Sequence, residues 1–148
     1  SKKEGMEITR IESKDGEHTT FTKDKVADFL FEHLEQYGDE RVDIMKCLNY
    51  VFAKGGSITV AHEDDVLKGA VILNDTGMEG YIPENILVYI AVHNSTRGQG
   101  VGGKLIEDVQ SKTKGDIALH VEPDNPAKKL YEKLGFSNKY LEMRYSGK

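Results

Sequence analysis

Residues 86–114 read ILVYIAVHNSTRGQGVGGKLIEDVQSKTK, and the other segments of the chain can be placed around them. The apolar run Ile86–Val92 is rich in residues that favour β-strands, and the polar link His93–Thr96 follows it. The glycine-rich stretch Arg97–Gly103 comes next, and apolar residues then recur at helical spacing as far as Val109. The order of strand, glycine turn and helix predicts an anion site. Free backbone amides and the positive end of the helix dipole meet at such a helix N-terminus.

The glycines of this turn indicate close approach of a ligand to the backbone. Gly98 and Gly100 lie before the predicted helix, whereas Gly102 and Gly103 fall inside its first turn. A glycine inside a helix costs about 1 kcal/mol relative to alanine. Two such glycines in succession are therefore typical of a backbone that holds phosphate rather than of a simple connection.

Composition restricts the kind of protein without naming its activity. The chain has 148 residues, a formal net charge of −5 and one cysteine, Cys47. We predict one domain over residues 1–148, without an intrachain disulfide, in a reducing and cytoplasmic setting. The acidic balance argues against nucleic-acid binding, and no apolar run approaches the roughly 20 residues that span a membrane. We predict no metal site.

Periodicity along the chain predicts a single mixed α/β domain with alternating strands and helices. The predicted strands are Met6–Glu12, Ser57–His62, Val66–Leu73, Ile86–Val92 and Asp116–Glu122, with one or two more between Phe136 and Tyr145. The predicted helices run from Thr22 to Gly38, from Asp39 to Gly55, from the glycine turn onward, and from Asn125 to Gly135. The inward stripe of the second helix is predicted to be Val42, Met45, Leu48, Val51 and Phe52. We expect His33 and His62 at the surface and Cys47 packed inside.

Two motifs in this order resemble the GNAT superfamily of acyl-CoA-dependent N-acetyltransferases. Arg97, Gly100 and Gly102 match the family's glycine motif [QR]-x-x-G-x-[GA], between a strand and a helix. The later family segment is matched by Asn125–Ala127, and by LYEKLGF at Leu130–Phe136. The order of elements agrees as well, so the resemblance covers nearly the whole chain.

The resemblance implies a GNAT-like single domain of the α/β (α+β) class with acetyl-CoA as co-substrate. Its central mixed sheet would have six to seven strands flanked by about four helices, and the parallel fourth and fifth strands would splay apart. The pantetheine arm would pair with the fourth strand, and the pyrophosphate would bind amides of the turn. The residues so implied on the cofactor side are Ile90, Ala91, Val92, Arg97, Gly98, Gln99, Gly100, Val101, Gly102, Gly103, Lys104, Asn125 and Tyr131.

The resemblance also implies a mechanism of direct attack by a primary amine. Tyr131 would protonate the departing thiolate, and the Ile90 amide would polarise the thioester carbonyl. An unperturbed phenol has a pKa near ~10 against ~8.5 for a thiol, so it stays a donor at neutral pH. Some family members carry a glutamate near the start of the fourth strand, where this chain has Ile86. The general base therefore stays open among Glu84, Glu122, His120, Tyr89 and a chain of water molecules.

Two other functions are compatible with these patterns, and the acceptor is open. A non-catalytic acyl-CoA sensor of the same fold would use the same turn. A dinucleotide-binding oxidoreductase would use Gly98, Gly100 and Gly103 as G-x-G-x-x-G, with Glu122 on the ribose. Only residues 123–148 follow, which is too short for the remaining strands of a Rossmann domain. The acceptor would be a small-molecule or peptide amine, and a homodimer is compatible with the family.

Overall fold

The computed structural model describes residues 5–147, which form a mixed five-stranded sheet and four α-helices. The strands are β1 (Glu7–Glu12), β2 (Gly56–Glu63), β3 (Val66–Asp75), β4 (Asn85–Val92) and β5 (Ile117–Leu119). The helices are α1 (Lys23–His33), α2 (Arg41–Ala53), α3 (Val101–Lys112) and α4 (Ala127–Lys133). The strands lie in chain order, antiparallel from β1 to β4, and β5 runs parallel to β4. The predicted α/β class and helix number are confirmed.

Helices cover both faces of the sheet, so the molecule has two apolar cores. On one face α1 and α2 pack on residues that include Ile58, Ile72 and Ala91. On the other face α3 packs on residues that include Val71 and Leu73. Because the central strands are buried on both sides, β3 contains the continuous apolar run Ala70–Leu73, whereas β2 buries the polar residues Ser57, Thr59 and His62.

A β-bulge at Val88 changes the direction of β4. Leu73 pairs with Leu87 and the preceding Ile72 pairs with Tyr89, so Val88 has no partner on β3. Leu87 consequently packs in the α3 core, whereas Tyr89, two residues later, packs in the α1–α2 core. In a regular strand these two side chains would share a face. The bulge therefore turns Tyr89 towards α1 and α2.

The pairing of the parallel strands β4 and β5 ends at Leu87, next to the bulge at Val88. They pair only at Asn85–Ile117, Ile86–Ala118 and Leu87–Leu119. Beyond Leu87, β4 continues to Val92 with no β5 residue beside it. The predicted splay of the fourth and fifth strands is confirmed, and it leaves one edge of β4 free of strand pairing at residues 88–92.

The expected six to seven strands are not observed, because the described chain forms five. Residues 136–147 form no strand, and Tyr140, Leu141, Met143 and Tyr145 are exposed. The fifth strand is also shorter than the predicted Asp116–Glu122. A strand needs a paired neighbour as well as an apolar pattern, and β5 diverges from β4 after three residues.

Both predicted helices of the first half differ from the observed ones in detail. The first ends at His33 rather than near Gly38, since Glu35 has a φ of 55° that an α-helix cannot contain. The second buries Ile44, Cys47, Leu48 and Val51, so its inward face is rotated from the predicted one. Val42, expected to face inward, is 61% exposed. Cys47 is buried, as predicted.

The expectation that His33 and His62 lie at the surface is wrong. His33 is buried because it continues the helical stripe of Val26, Phe29 and Leu30. Burial is the main cause that lowers the pKa of His33. His62 is buried because β2 is covered on both faces, and its Nε2 lies 2.7 Å from Thr9 Oγ1.

Candidate active site

The glycine turn presents unpaired amides at the N-terminus of α3. Gly98 and Gly100 have φ values of 81° and 79°, in the left-handed region that favours glycine. Gly100 precedes α3 without a side-chain cap, and its carbonyl accepts from the Lys104 amide at 3.1 Å. The amides of residues 101–103 therefore have no intrahelical acceptor. The turn is exposed, so an anion can reach these donors.

Gly102 and Gly103 face α4, and an added Cβ on either would meet it at an ordinary contact distance. A Cβ on Gly102 would lie 3.4 Å from Leu130 Cδ2, and one on Gly103 would lie 3.8 Å from Leu130 Cδ1. These are ordinary contact distances, so packing within the protein does not require glycine at position 103. The contact also fixes α4 beside the first turn of α3.

The free edge of β4 leads directly into this turn. Residues 88–92 lack a β5 neighbour, and Ile90 and Val92 are half-buried while Ala91 is buried. Backbone donors and acceptors on an unpaired strand edge can pair with an extended ligand. The structure thus brings the predicted residues Ile90, Ala91 and Val92 next to the predicted turn.

Tyr131 lies on α4 immediately after Leu130, the residue that contacts the turn. Its side chain is buried, and its ring packs edge-on against Phe136 with centroids 5.8 Å apart. Burial raises the pKa of Tyr131 to about 12. The phenol is therefore a proton donor throughout the neutral range.

Two predicted cofactor residues, Arg97 and Asn125, make contacts within the protein that differ from simple phosphate binding. Arg97 makes a 2.7 Å ion pair with Glu35 and donates to the His33 carbonyl at 3.1 Å. Its side chain thus joins the turn to the segment after α1. Asn125 Oδ1 accepts from the Ala127 amide at 2.9 Å, but the N-cap position of α4 is Pro126 rather than the predicted Asn125, because the helix begins at Ala127. Lys104 is exposed in the first turn of α3.

Glu84, one of the base candidates, holds two loops together. Its carboxylate accepts from the Asp116 amide at 2.6 Å and from the Gly80 amide at 3.0 Å. These hydrogen bonds lower the pKa of Glu84. It precedes β4 at the end away from the glycine turn. This geometry gives Glu84 a structural role and does not favour it as a base.

A pocket of about 210 Å³ opens just beyond the end of β5. Residues 36–39 of the α1–α2 connection form one wall, and residues 120–122 with Asn125 form the other. The base candidates His120 and Glu122 therefore lie together here, in a loop after β5 rather than within that strand. Tyr37 Oη donates to the Asp124 carbonyl at 3.4 Å, a contact that joins the two walls.

Asp39 also lines this pocket, on the wall formed by the α1–α2 connection. The buried Tyr89 hydroxyl donates to Asp39 Oδ2 at 2.6 Å. Burial, with a smaller effect from Asp39, raises the pKa of Tyr89, so it is a poor candidate for a base. The sequence alone does not predict the contact between Tyr89 and Asp39, because the contact depends on the bulge at Val88.

Chemically, the arrangement offers three features: free amides at a helix N-terminus, an unpaired strand edge and a pocket lined by two carboxylates. The first two are continuous along β4 and the turn into α3, with the Tyr131 phenol on the helix beside them. The third lies just beyond the end of β5 and carries Asp39 and Glu122. No helix within residues 5–147 has the length and apolar character needed to cross a membrane.

Comparison with known proteins identifies relatives over this region. A family model described as "Acetyltransferase (GNAT) domain" matches residues 54–138. A curated relative, the 5-NmdU N-acetyltransferase of Pseudomonas phage PaMx11, is 31% identical over 84 residues. That match covers 55% of this chain and 58% of the relative, so the similarity spans little more than half of each protein.

Solved structures with the same fold cover almost the entire chain. A ribosomal-protein-alanine N-acetyltransferase from Brucella melitensis biovar Abortus 2308 has a TM-score of 0.65 and 17% identity, covering 97% of this chain and 100% of that one. An aminoglycoside N-acetyltransferase solved with CoA has a TM-score of 0.69 and 20% identity, covering 97% and 95% of the two chains. At these identities the likeness concerns the fold.

Proposed function

Because this chain belongs to the GNAT acetyltransferase family, we propose that it transfers an acetyl group from acetyl-CoA to a primary amine. The observation that carries the proposal is the continuity of two binding elements. The uncapped end of α3 follows directly from the free edge of β4, and the buried Tyr131 lies on the neighbouring helix. The matched family region contains all three.

The cofactor would lie along β4 and across the turn. The edge at Ile90–Val92 would pair with the amide groups of the pantetheine arm. The amides of Gly98 and of residues 100–103 would hold the pyrophosphate at the positive end of the α3 dipole, whereas the Gln99 amide already donates to the Thr96 carbonyl at 3.2 Å. Lys104, exposed in the first turn of α3, would add positive charge near the same anion.

The reaction would proceed by direct attack within a ternary complex. The Ile90 amide would stabilise the oxyanion as the amine nitrogen attacks the thioester carbonyl. The carbon–sulfur bond would then break, and Tyr131 would donate its proton to the departing thiolate. The proton released by the nitrogen would restore the phenol through water. Orientation and oxyanion stabilisation would supply most of the acceleration.

The relatives supply the acceptor classes that a test should include. By their names they act on 5-NmdU, on ribosomal-protein alanine and on aminoglycosides. We expect a primary amine with a small-molecule or peptide carrier, since the chain has a net charge of −5. An acidic protein attracts cationic amines.

The experiment measures the free thiol released from acetyl-CoA with each amine of a panel. Mass spectrometry then identifies the product. The panel contains diamines, an aminoglycoside, a peptide with an N-terminal alanine and a 5-NmdU nucleoside. The proposal expects thiol release in equal amount to N-acetylated product for at least one class. The matched control omits the amine and measures hydrolysis alone.

Two results, one from this panel and one from ligand-binding measurements, would overturn the proposal. Tight CoA binding without thiol release from any amine would favour an acyl-CoA sensor. Binding of a nicotinamide dinucleotide with none of CoA would favour the oxidoreductase reading of Gly98, Gly100 and Gly103. A thermal-shift comparison of CoA with NAD(P) distinguishes these two cases.

A further inference from the structure

A second cavity lies at the end of the sheet away from the glycine turn. It has a volume of about 360 Å³ and lies between the start of β4 and the C-terminal end of α3, where Asn85 and Thr113 are among its lining residues. An α-helix rises about 1.5 Å per residue, so the 12 residues of α3 separate this cavity from the glycine turn by roughly 18 Å. The cavity is therefore distinct from the proposed acetyl-CoA site.

Ser57 brings a buried hydroxyl without a protein partner to this cavity. It pairs with Glu12 on β1 and with Leu73 on β3, and all three residues line the cavity. Directly opposed residues of antiparallel strands share a face of the sheet, and Leu73 packs on the α3 side. Ser57 is 1% exposed, and its Oγ forms no hydrogen bond with any residue from 5 to 147. A buried hydroxyl of this kind carries a desolvation cost that a polar ligand group would offset.

Asn85 brings a second buried polar group to the same cavity. It is 5% exposed, and its Nδ2 donates to the Lys114 carbonyl at 2.8 Å and to the Asp116 carbonyl at 3.1 Å. These two bonds fix the orientation of the amide, because only its nitrogen can donate. Within residues 5–147 its Oδ1 accepts no hydrogen bond. Because Asn85 lines the cavity, this oxygen is a fixed acceptor for a ligand that carries a donor group.

Arg10 places a guanidinium group with weak partners in the cavity. Its side chain is 15% exposed, its Nε lies 3.6 Å from Glu12 Oε2, and its Nη1 lies 3.4 Å from Thr113 Oγ1. Charge-assisted hydrogen bonds of a guanidinium are roughly 2.7–2.9 Å long, and the group has several further N–H donors. Arg10 therefore keeps the capacity to bind a carboxylate through two hydrogen bonds.

The charges around the cavity favour a ligand with both a positive and a negative group. The lining contains three basic and three acidic side chains, which are Arg10, Lys112 and Lys114, and Glu12, Asp75 and Glu84. A simple anion would be repelled by the carboxylates, and a simple amine would be repelled by the cations. A zwitterion avoids both penalties when each of its charged groups lies near the opposite charge of the lining.

We propose that this cavity binds a free α-amino acid, with its carboxylate at Arg10 and the Ser57 hydroxyl and its ammonium group at Asn85 Oδ1. The volume is about twelve times the roughly 30 Å³ that one water occupies in the liquid, which suits a molecule of about ten heavy atoms. The site is independent of acetyl transfer, because binding there needs neither acetyl-CoA nor an amine acceptor.

The test is a thermal-shift screen of the standard L-amino acids, followed by calorimetry with the best of them. The same calorimetry uses its analogue without the amino group and its analogue without the carboxylate. We expect at least one amino acid to raise Tm and to bind. Both analogues should bind at least tenfold more weakly, since each loses a charge-assisted hydrogen bond. Saturating CoA should leave the binding unchanged.

Two variants locate the binding in this cavity. Arg10→Met should weaken amino-acid binding at least tenfold, because the guanidinium is lost. Ser57→Ala should weaken it about threefold while Tm stays the same or rises, since it removes a buried hydroxyl without a protein partner. A purely structural role of Ser57 would not give that combination. The matched control is Arg144→Met, which removes an arginine with a 70% exposed side chain outside the cavity.

Weaker binding in R10M and S57A, with wild-type binding in R144M, would support the inference. Failure of every amino acid to bind would overturn it, because water alone would then satisfy these polar groups. Equal binding of either analogue, or wild-type affinity in folded S57A, would also overturn it. So would competition with CoA, which would place the amino acid in the acetyl-CoA site. Binding that S57A weakens, in a protein that acetylates no amine of the panel, would keep the cavity and reject the acetyltransferase proposal.

Discussion

Tyr131 is the single residue on which the proposed chemistry depends most directly. Its side chain is buried, and its pKa is raised to about 12, so ionisation of the phenol begins only well above neutral pH. Proton donation to a thiolate requires the protonated phenol. We therefore expect kcat to show no loss from Tyr131 ionisation between pH 7 and pH 10.

We predict that Tyr131→Phe lowers kcat roughly 100-fold, the order that general acid catalysis contributes, with little change in acetyl-CoA affinity. Steady-state kinetics with the best amine of the panel, together with calorimetric acetyl-CoA binding, measures both values. Tyr140→Phe is the matched control, because Tyr140 is 79% exposed. Turnover in Y131F equal to that of the wild type would remove Tyr131 from the mechanism.

Residue patterns supplied candidates for the cofactor side more readily than for the acceptor side. The glycines, Tyr131 and Asn125 were identifiable because each belongs to a short continuous motif. Asp39 was not, since its partner Tyr89 is 50 residues away and is turned towards it by a bulge. His33 was assigned to the surface although its spacing after Phe29 and Leu30 already placed it on the apolar stripe.

Among the elements, α3 has a first turn in which glycine lowers helix stability at a proposed binding site. Gly103 lies within the helix, and a Cβ there would meet only Leu130 Cδ1 at 3.8 Å. Alanine is thus sterically acceptable to the protein and has the higher helix propensity. We propose that a ligand close to the backbone, rather than folding, is the reason for glycine at this position.

We predict that Gly103→Ala raises the free energy of unfolding by about 0.5–1 kcal/mol and weakens acetyl-CoA binding at least tenfold. Chemical denaturation and calorimetry measure the two effects. Ser111→Ala, near the other end of α3, is the control that changes helix propensity without touching the turn. A G103A variant with unaltered acetyl-CoA affinity would contradict the assignment of this turn.

Elements with a continuous pattern were predicted with nearly their observed bounds, and those shaped by tertiary contacts were not. β4 was expected at Ile86–Val92 and spans Asn85–Val92. By contrast, the end of α1 depends on Glu35, which has a left-handed backbone and an ion pair to Arg97. The predicted strands after Phe136 needed a neighbour that the short β5 does not provide.

At the scale of the whole molecule, one distortion shapes both the free edge of β4 and the pocket beyond β5. The bulge at Val88 coincides with the end of β4–β5 pairing. The unpaired edge of β4 begins at this bulge, which also turns Tyr89 towards Asp39. Sequence patterns indicated the family and its splayed strands through resemblance, but the pocket is built from segments far apart in the chain and emerges only from the fold.

Amide chemical shifts in an ¹⁵N-labelled sample titrated with CoA test the central assignment most directly. We predict that the largest changes fall at residues 88–92 and 98–104, the free edge of β4 and the glycine turn, and that NAD⁺ produces no comparable set. The G103A variant should show weaker changes at the same positions. Large CoA-induced shifts confined to other parts of the chain, or a response to NAD⁺ and not to CoA, would contradict the account.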